Sequence, residues 1–91
     1  MYQPRLSTKF RRDIRLCKKQ RKDMQLFKDI DALLTAGKPL PKKNKDHNLS
    51  GNWNGHRECH IEPDWLLIYR VNEDEMVVEY ARTGSHSELF S

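Results

Sequence analysis

The 91 residues carry 17 Lys and Arg against 13 Asp and Glu, and 36% of them are hydrophobic. This length predicts a single domain over residues 1–91 with a small core, because a short chain buries only about 60% of its unfolded surface. No apolar run approaches the ~20 residues of a membrane helix, and the N-terminus has no apolar signal segment. We therefore expect no membrane association. Cys17 and Cys59 match no metal or redox spacing, which favours free thiols in a reducing cytoplasm.

Charge is distributed unevenly along the chain. Residues 1–47 carry 14 Lys and Arg against 5 Asp and Glu, a net charge of +9, whereas residues 48–91 carry 3 against 8, a net charge of −5. A polycationic first half is typical of a nucleic-acid surface, since the neutralisation of phosphates drives such binding. An ordinary solvated helix face rich in lysine has the same composition, so charge alone leaves both interpretations open.

The first half of the chain predicts a strand and two helices. Residues 2–6 fit a short strand that Pro4, lacking an N–H, restricts to an edge or irregular position. The Ser-Thr pair at residues 7–8 offers an N-cap for the first helix, and a second helix begins near Asp23 and stops before Gly37. Apolar residues recur at helical spacing in both helices: Phe10, Ile14 and Cys17 in the first, and Met24, Phe27, Ile30, Leu33 and Leu34 in the second.

The second half predicts a polar loop and three strands. Residues 39–52 have the composition of a long loop, and residues 53–61, 65–71 and 76–83 have the patterns of strands. The middle strand is apolar almost throughout, which predicts a central position covered on both faces. The order of elements, β-α-α-β-β-β, therefore predicts an α+β fold in which two helices pack on one face of a mostly antiparallel sheet.

Candidate site residues surround the corner between the first two of these three strands. His60 ends one strand, and Asp64 begins the next. In an antiparallel meander the end of the third strand returns to this corner. Arg82 and His86, at the end of the third strand and just beyond it, should therefore lie close to His60 and Asp64.

Histidines at such a corner suit the cleavage of RNA by internal attack. That reaction needs a base for the 2′-hydroxyl proton, an acid for the leaving 5′-oxygen and a cation for the charged phosphorane. Histidine takes either proton role, because its ordinary pKa of about 6.5 is close to neutrality. His47, His60 and His86 are available for these roles, and the chemistry requires no metal.

Other candidates complete this set. Asp64 would act as a base or orient an imidazole, and Arg82 presents a planar fork that matches phosphate oxygens. An aromatic ring such as that of Phe90 or Trp65 can stack on a base. We therefore predict an RNA-cleaving site.

Each of these residues also has an ordinary structural interpretation. A histidine in a small domain is usually a surface or hydrogen-bonded residue, Asp64 follows a proline in a turn, and Trp65 suits a core. A zinc site is conceivable, but adjacent Cys and His residues chelate poorly and no second Cys pair exists. Its ligands would be His47, His56, Cys59 and His60. We therefore predict no bound metal and no cofactor.

Several blocks follow one another along the second half of the chain: Lys45-Asp46-His47, Leu49-Ser50-Gly51, Trp53, Gly55, Arg57, the run from His60 to Trp65, Arg82-Thr83-Gly84-Ser85-His86 and Leu89-Phe90. These blocks resemble, in the same order, those of the YafQ-type toxins of the RelE/ParE superfamily, which belong to bacterial type II toxin–antitoxin modules. The resemblance covers most of the chain.

The resemblance implies a RelE-like (microbial RNase-like) fold that cleaves messenger RNA in the ribosomal A site, leaving a 2′,3′-cyclic phosphate and a 5′-hydroxyl. Which residue is the acid and which is the base remains open. The implied catalytic residues are His47, His60, Asp64, Arg82 and His86, and the substrate-binding residues are Lys45, Arg57, Trp65 and Phe90.

The resemblance also implies partners. A cognate antitoxin would bind the toxin, the basic helices would dock on ribosomal RNA, and operator DNA would be bound only through the toxin–antitoxin complex. Two rival functions remain open: a ParE-like toxin that poisons DNA gyrase without cutting RNA, and a non-catalytic RNA-binding module. The three candidate site histidines argue against gyrase poisoning, which has no use for them.

Overall fold

The computed structural model describes residues 1–90 and has the predicted α+β architecture. The elements are β1 (Gln3–Leu6), α1 (Thr8–Lys19), α2 (Met24–Thr35), β2 (His47–Asn48), β3 (Arg57–Glu62), β4 (Trp65–Asn72), β5 (Val77–Gly84) and α3 (His86–Phe90). The five strands form one mixed sheet in the order β1-β5-β4-β3-β2, in which β1 runs parallel to β5 and the other neighbours are antiparallel.

The ends of the first two helices follow from local side-chain chemistry. The Ser7 hydroxyl accepts the N–H of Phe10 at the start of α1, and Asp23 accepts the N–H of Gln25 at the start of α2. Helix α2 ends in a Schellman motif in which the residue at C′ is Gly37, with φ +72°. The predicted starts of both helices and the predicted end of α2 are therefore confirmed.

One face of the sheet packs against α1 and α2 and forms the core. Because side chains alternate along a strand, Cys59, Leu67 and Tyr69 point toward the helices, where they join Phe10 and Tyr80 in one buried cluster. Strand β4 is buried on both faces from Trp65 to Tyr69, as its apolar run predicts. The opposite face of β3 is left to polar residues, including the candidate site residue His60.

The polar stretch before β3 is more ordered than its composition predicts. Within residues 39–52, which we predicted to be loop throughout, the two residues of β2 pair with Arg57 and Glu58 of β3. Strand β3 begins at Arg57 rather than at Trp53, because residues 51–53 form a 3₁₀ turn. The additional strand brings His47 onto the sheet.

The segment after β5 is a short helix that the sequence interpretation missed. Helix α3 begins with a capping box: the backbone N–H of Ser85 donates to the Glu88 carboxylate, and the N–H of Glu88 donates to the Ser85 hydroxyl. The Gln20 amide donates to the same Glu88 carboxylate at 3.0 Å, which ties α3 to the end of α1. This helix carries His86 and Phe90. None of the helices within residues 1–90 is long and apolar enough to span a membrane.

Candidate active site

Four aromatic rings form a row across the polar face of the sheet. The ring centroids of His47 and His60 are 6.5 Å apart, those of His60 and His86 are 5.9 Å apart, and those of His86 and Phe90 are 6.2 Å apart. The rings come from β2, β3 and α3, so three separate elements assemble the row. The predicted return of the last strand to the corner brings His86 beside His60, and the pairing of β2 with β3 adds His47.

Asp64 at the corner holds His86. Its Oδ1 accepts the backbone N–H of His86 at 3.0 Å and lies 3.3 Å from the imidazole Nδ1. These two hydrogen bonds lower the pKa of Asp64 below its ordinary value, and the backbone bond has the larger effect. The carboxylate therefore stays ionised at neutral pH and orients the imidazole, with Nε2 as the ring atom left for proton transfer.

A buried carboxylate lies between the other two histidines. Oε1 of Glu58 is 3.5 Å from Nε2 of His47 and 3.7 Å from Nε2 of His60, and Glu58 is only 4% exposed. The Nδ1 atom of each ring faces a main-chain carbonyl, that of Lys45 at 2.7 Å and that of Pro63 at 3.2 Å. Since a carbonyl only accepts, both Nδ1 atoms carry hydrogen, and the Nε2 atoms face Glu58.

The sequence interpretation overlooked Glu58, although a signal was present. Glu58 and His60 are two residues apart on a strand, and residues with this spacing share one face. A carboxylate two positions before a candidate histidine therefore belongs to the same site. The Ser85-x-x-Glu88 capping box was likewise a readable sign that His86 begins a helix.

A polar network on the other face of the sheet anchors the strand that carries His47. The Tyr69 hydroxyl donates to Oδ1 of Asp46 at 2.5 Å. Burial is the main cause that raises the pKa of this phenol, so the hydroxyl stays protonated. Arg57 donates from Nε and Nη2 to the same carboxylate, at 3.0 to 3.3 Å, and from Nη1 to Asn48 at 2.6 Å. Asp46 is thus fixed from more than one side, directly before His47.

The structure does not place two of the predicted substrate-binding residues, Arg57 and Trp65, in the ring row. Arg57 follows the strand alternation onto the face opposite Glu58 and His60, where Asp46 and Asn48 occupy its donors, so it positions the β2 segment instead. Trp65 is completely buried, and its indole N–H donates to the Thr83 hydroxyl at 2.8 Å, so the ring is not open to a base.

Phe90 and Lys45 are positioned as a substrate-binding role requires. Phe90 is 47% exposed at the end of the ring row, so its ring can receive a base. Lys45 is exposed, has a left-handed backbone with φ 48°, and lines a pocket with His60. Both residues remain substrate-binding candidates.

Arg82 lies beside the site but is held by a carboxylate from α1. Its Nε and Nη2 donate to Asp13 at 2.7 and 3.2 Å, and the same carboxylate accepts the N–H of Thr83 at 3.0 Å. Strand register places Arg82 opposite Ile68 and Glu58 in one cross-strand row, on the polar face. Any phosphate that binds Arg82 must use the donors that Asp13 leaves free.

The four conceivable zinc ligands are not all brought together, although His47 and His60 are neighbours. Cys59 points to the core, away from His60, and burial raises its pKa to about 12, so the thiolate that zinc requires is disfavoured. The His56 ring packs edge-on against Trp53, with ring centroids 5.2 Å apart. Within residues 1–90, no group of three or more His, Cys, Asp or Glu side chains is placed to hold a metal ion.

The fold and the row of histidines define a small toxin of RelE-like architecture. Residues 2–91 match the family model described as the bacterial toxin of the type II toxin–antitoxin system, YafQ. The chain therefore belongs to the YafQ toxin family. The sequence prediction of this family is confirmed.

Individual relatives agree over nearly the full chain. A curated relative, the mRNA interferase toxin YafQ of Escherichia coli, is 41% identical over 85 residues, which cover 92% of this chain and 90% of that protein. The crystal structure of a metal-bound toxin from Helicobacter pylori is 39% identical, with a TM-score of 0.93, and the match covers 99% of this chain and all of that one. In the E. coli DinJ–YafQ toxin–antitoxin complex, the matching chain is 38% identical with a TM-score of 0.88, over 99% of this chain and 98% of that one.

Proposed function

We propose that the protein is the toxin of a type II toxin–antitoxin module and an endoribonuclease that cleaves translated messenger RNA in the ribosomal A site. The observation that carries this proposal is the row of His47, His60 and His86, in which carboxylates orient the rings from two sides. Three imidazoles so close together and so oriented are suited to moving protons near neutral pH. The curated name of the E. coli relative, mRNA interferase, supports the same activity.

Cleavage proceeds by internal attack in this proposal. The 2′-oxygen of a ribose forms a bond to the adjacent phosphorus as the bond from phosphorus to the 5′-oxygen breaks. One imidazole takes the 2′-hydroxyl proton and another protonates the leaving 5′-oxygen, which yields a 2′,3′-cyclic phosphate and a 5′-hydroxyl. His86, oriented by Asp64, performs one of these two proton transfers. His47 or His60, oriented by Glu58, performs the other. No step passes through a metal ion.

Substrate and partners follow from the surface. The free donors of Arg82 bind the scissile phosphate, and the exposed Phe90 stacks on a base. The basic residues of α1 and the turn after it contact ribosomal RNA; those exposed are Lys9, Arg11, Arg12, Arg15, Lys18, Lys19 and Arg21.

A cognate antitoxin neutralises the protein, as the DinJ–YafQ complex of the E. coli relative supports. Operator DNA is bound through that complex. Residues 1–91 act as one toxin domain, and the site of action is the cytoplasm, where translation takes place.

Induction in bacteria with primer extension on a translated reporter message tests this function. Wild type is compared with His86→Ala and with Lys28→Ala, which removes an exposed charge from α2 and leaves both the ring row and the basic surface of α1 untouched. We expect cuts that depend on translation for wild type and Lys28→Ala, and none for His86→Ala. Growth arrest without cuts would instead favour gyrase poisoning, and arrest that survives His86→Ala would favour a non-catalytic module.

A further inference from the structure

A pocket of about 330 Å³ adjoins the site on the side away from α3. Lys43 and Lys45 lie on one wall, and His60, Ile61 and Pro63 lie on the other. This volume is at the small end of the ~300–1,000 Å³ range of ligand pockets. His60 also belongs to the ring row, so whatever occupies the pocket lies directly beside the site of cleavage.

The wall that carries the lysines is fixed to the sheet. Residues Lys42–Asn44 form a 3₁₀ turn, and the Asn44 amide, only 4% exposed, donates to the main-chain carbonyl of His60 at 2.7 Å. Lys45 ends the turn in a left-handed conformation, and its carbonyl accepts from Nδ1 of His47. The pocket is therefore preformed and mechanically joined to two histidines of the site.

The charge of the pocket favours an anion. Within residues 1–90, neither Lys43 nor Lys45 forms an ion pair, whereas Arg57, Arg70 and Arg82 are all held by carboxylates. Glu62 is the one carboxylate in the lining that these residues provide. Two unpaired ammonium groups that flank a partly apolar cleft suit a phosphate joined to a base.

We propose that this pocket binds the nucleotide next to the scissile linkage of the RNA substrate. Its phosphate lies between the ammonium groups of Lys43 and Lys45, and its base packs against Pro63 and the Ile61 segment. The inference rests on the proposed function and deepens it, because it assigns the neighbouring nucleotide to a second binding site beside the row of rings.

Lys43→Ala is the informative variant, and Lys42→Ala is its matched control. Both substitutions remove one positive charge from the same exposed turn, but only Lys43 lines the pocket. Lys45 is less suitable, because its main chain supports His47. Ribosomes programmed with short messages are the substrate, with the nucleotide on the 5′ or the 3′ side of the scissile linkage replaced by an abasic one.

A lost charge-assisted contact predicts an effect of about tenfold. We expect wild type and Lys42→Ala to cleave one of the two abasic messages about tenfold less efficiently than the intact message. Lys43→Ala should cleave the intact message about tenfold less efficiently than wild type, with little further loss on the abasic one. The pocket assignment would be overturned if the abasic nucleotide reduced cleavage by Lys43→Ala as strongly as it reduces cleavage by wild type. It would also be overturned if Lys43→Ala and Lys42→Ala cleaved the messages equally well.

A binding measurement separates failure of the pocket from failure of the proposed function. The four nucleoside 3′-monophosphates are titrated into the wild-type protein and followed by amide NMR. We expect shifts at Lys43, Asn44 and Ile61 in wild type and Lys42→Ala but not in Lys43→Ala. Wild type that cleaves without such shifts overturns only the pocket. Wild type that shows the shifts but cleaves no message overturns the endoribonuclease proposal and, with it, the assignment to a scissile linkage.

Discussion

A single oxygen of Asp64 binds His86 twice, through the backbone N–H at 3.0 Å and through the imidazole Nδ1 at 3.3 Å. The corner between β3 and β4 is thereby joined to the first residue of α3, which lies 22 positions later in the chain. The carboxylate thus orients the imidazole and fixes the helix that carries it. Its ionisation is consequently linked to the stability of α3.

Asp64→Asn should change how stability depends on pH. The folded protein holds the pKa of Asp64 below its ordinary value of 3.8, so ionised Asp64 stabilises the fold above that value. This contribution is lost as the pH falls through the lowered pKa. We expect the difference in Tm between wild type and Asp64→Asn to shrink as the pH falls below 3.8. A difference that does not shrink below pH 3.8 would contradict this linkage.

Glu58→Gln tests the carboxylate between His47 and His60. The amide keeps the shape of Glu58 but loses the charge that faces both Nε2 atoms, so proton transfer should slow by about 10²-fold. The free energy of unfolding should equal or exceed that of wild type, because a buried charge is removed. Single-turnover cleavage and thermal unfolding measure the two effects. Cleavage at the wild-type rate would remove Glu58 from the mechanism.

Tyr69→Phe tests the anchoring of the β2 segment. It leaves Asp46 without the hydroxyl donor from the core and should lower the free energy of unfolding by about 1–3 kcal/mol. We also expect kcat to fall while KM changes little, because His47 loses its fixed position but the binding surface remains.

Tyr80→Phe is the matched control for Tyr69→Phe. The Tyr80 hydroxyl donates at 2.5 Å to Asp31 on α2, away from the site, so the same chemical change should cost stability without lowering kcat. If both variants lose kcat equally, the effect of Tyr69 is one of general stability and not of positioning.

Trp65 and Phe90 should respond in opposite ways. Trp65→Phe removes the donor to the buried Thr83 hydroxyl and leaves space in the core, so Tm should fall while KM for RNA is unchanged. Phe90→Leu should raise KM with little change in Tm, because the side chain is half exposed and its proposed role is stacking. An unchanged KM in Phe90→Leu would argue against stacking by this ring.

Arg82→Ala should lower both cleavage and stability. Removing the guanidinium leaves the Asp13 carboxylate, 13% exposed, without its counter-charge. The double variant Asp13→Asn/Arg82→Ala should recover much of the stability but none of the cleavage. Recovery of cleavage in the double variant would show that Arg82 acts through the fold and not on the phosphate.

The sequence predicted the parts of the site that depend on long, regular strands. Antiparallel pairing alone requires β5 to return to the corner, which places His86 near His60 and Asp64. Strand β2 was not predicted, because two residues are too few to show a periodicity. It is also anchored by a side chain far along the chain, since the Tyr69 hydroxyl donates to Asp46. The contacts of Arg57 with Asp46 and Asn48 were not predicted, because an isolated basic residue does not reveal the strand face on which it lies.

The parallel pairing of β1 with β5 has a consequence for the moment at which the protein folds. Gln3 to Leu6 lie beside Val77 to Tyr80, so the first strand to be synthesised finds its partner only when the last one exists. Pairing across such a sequence separation is slow and comes late. His86 and Phe90 lie later still. The row of rings is therefore complete only after the chain has been synthesised through Phe90.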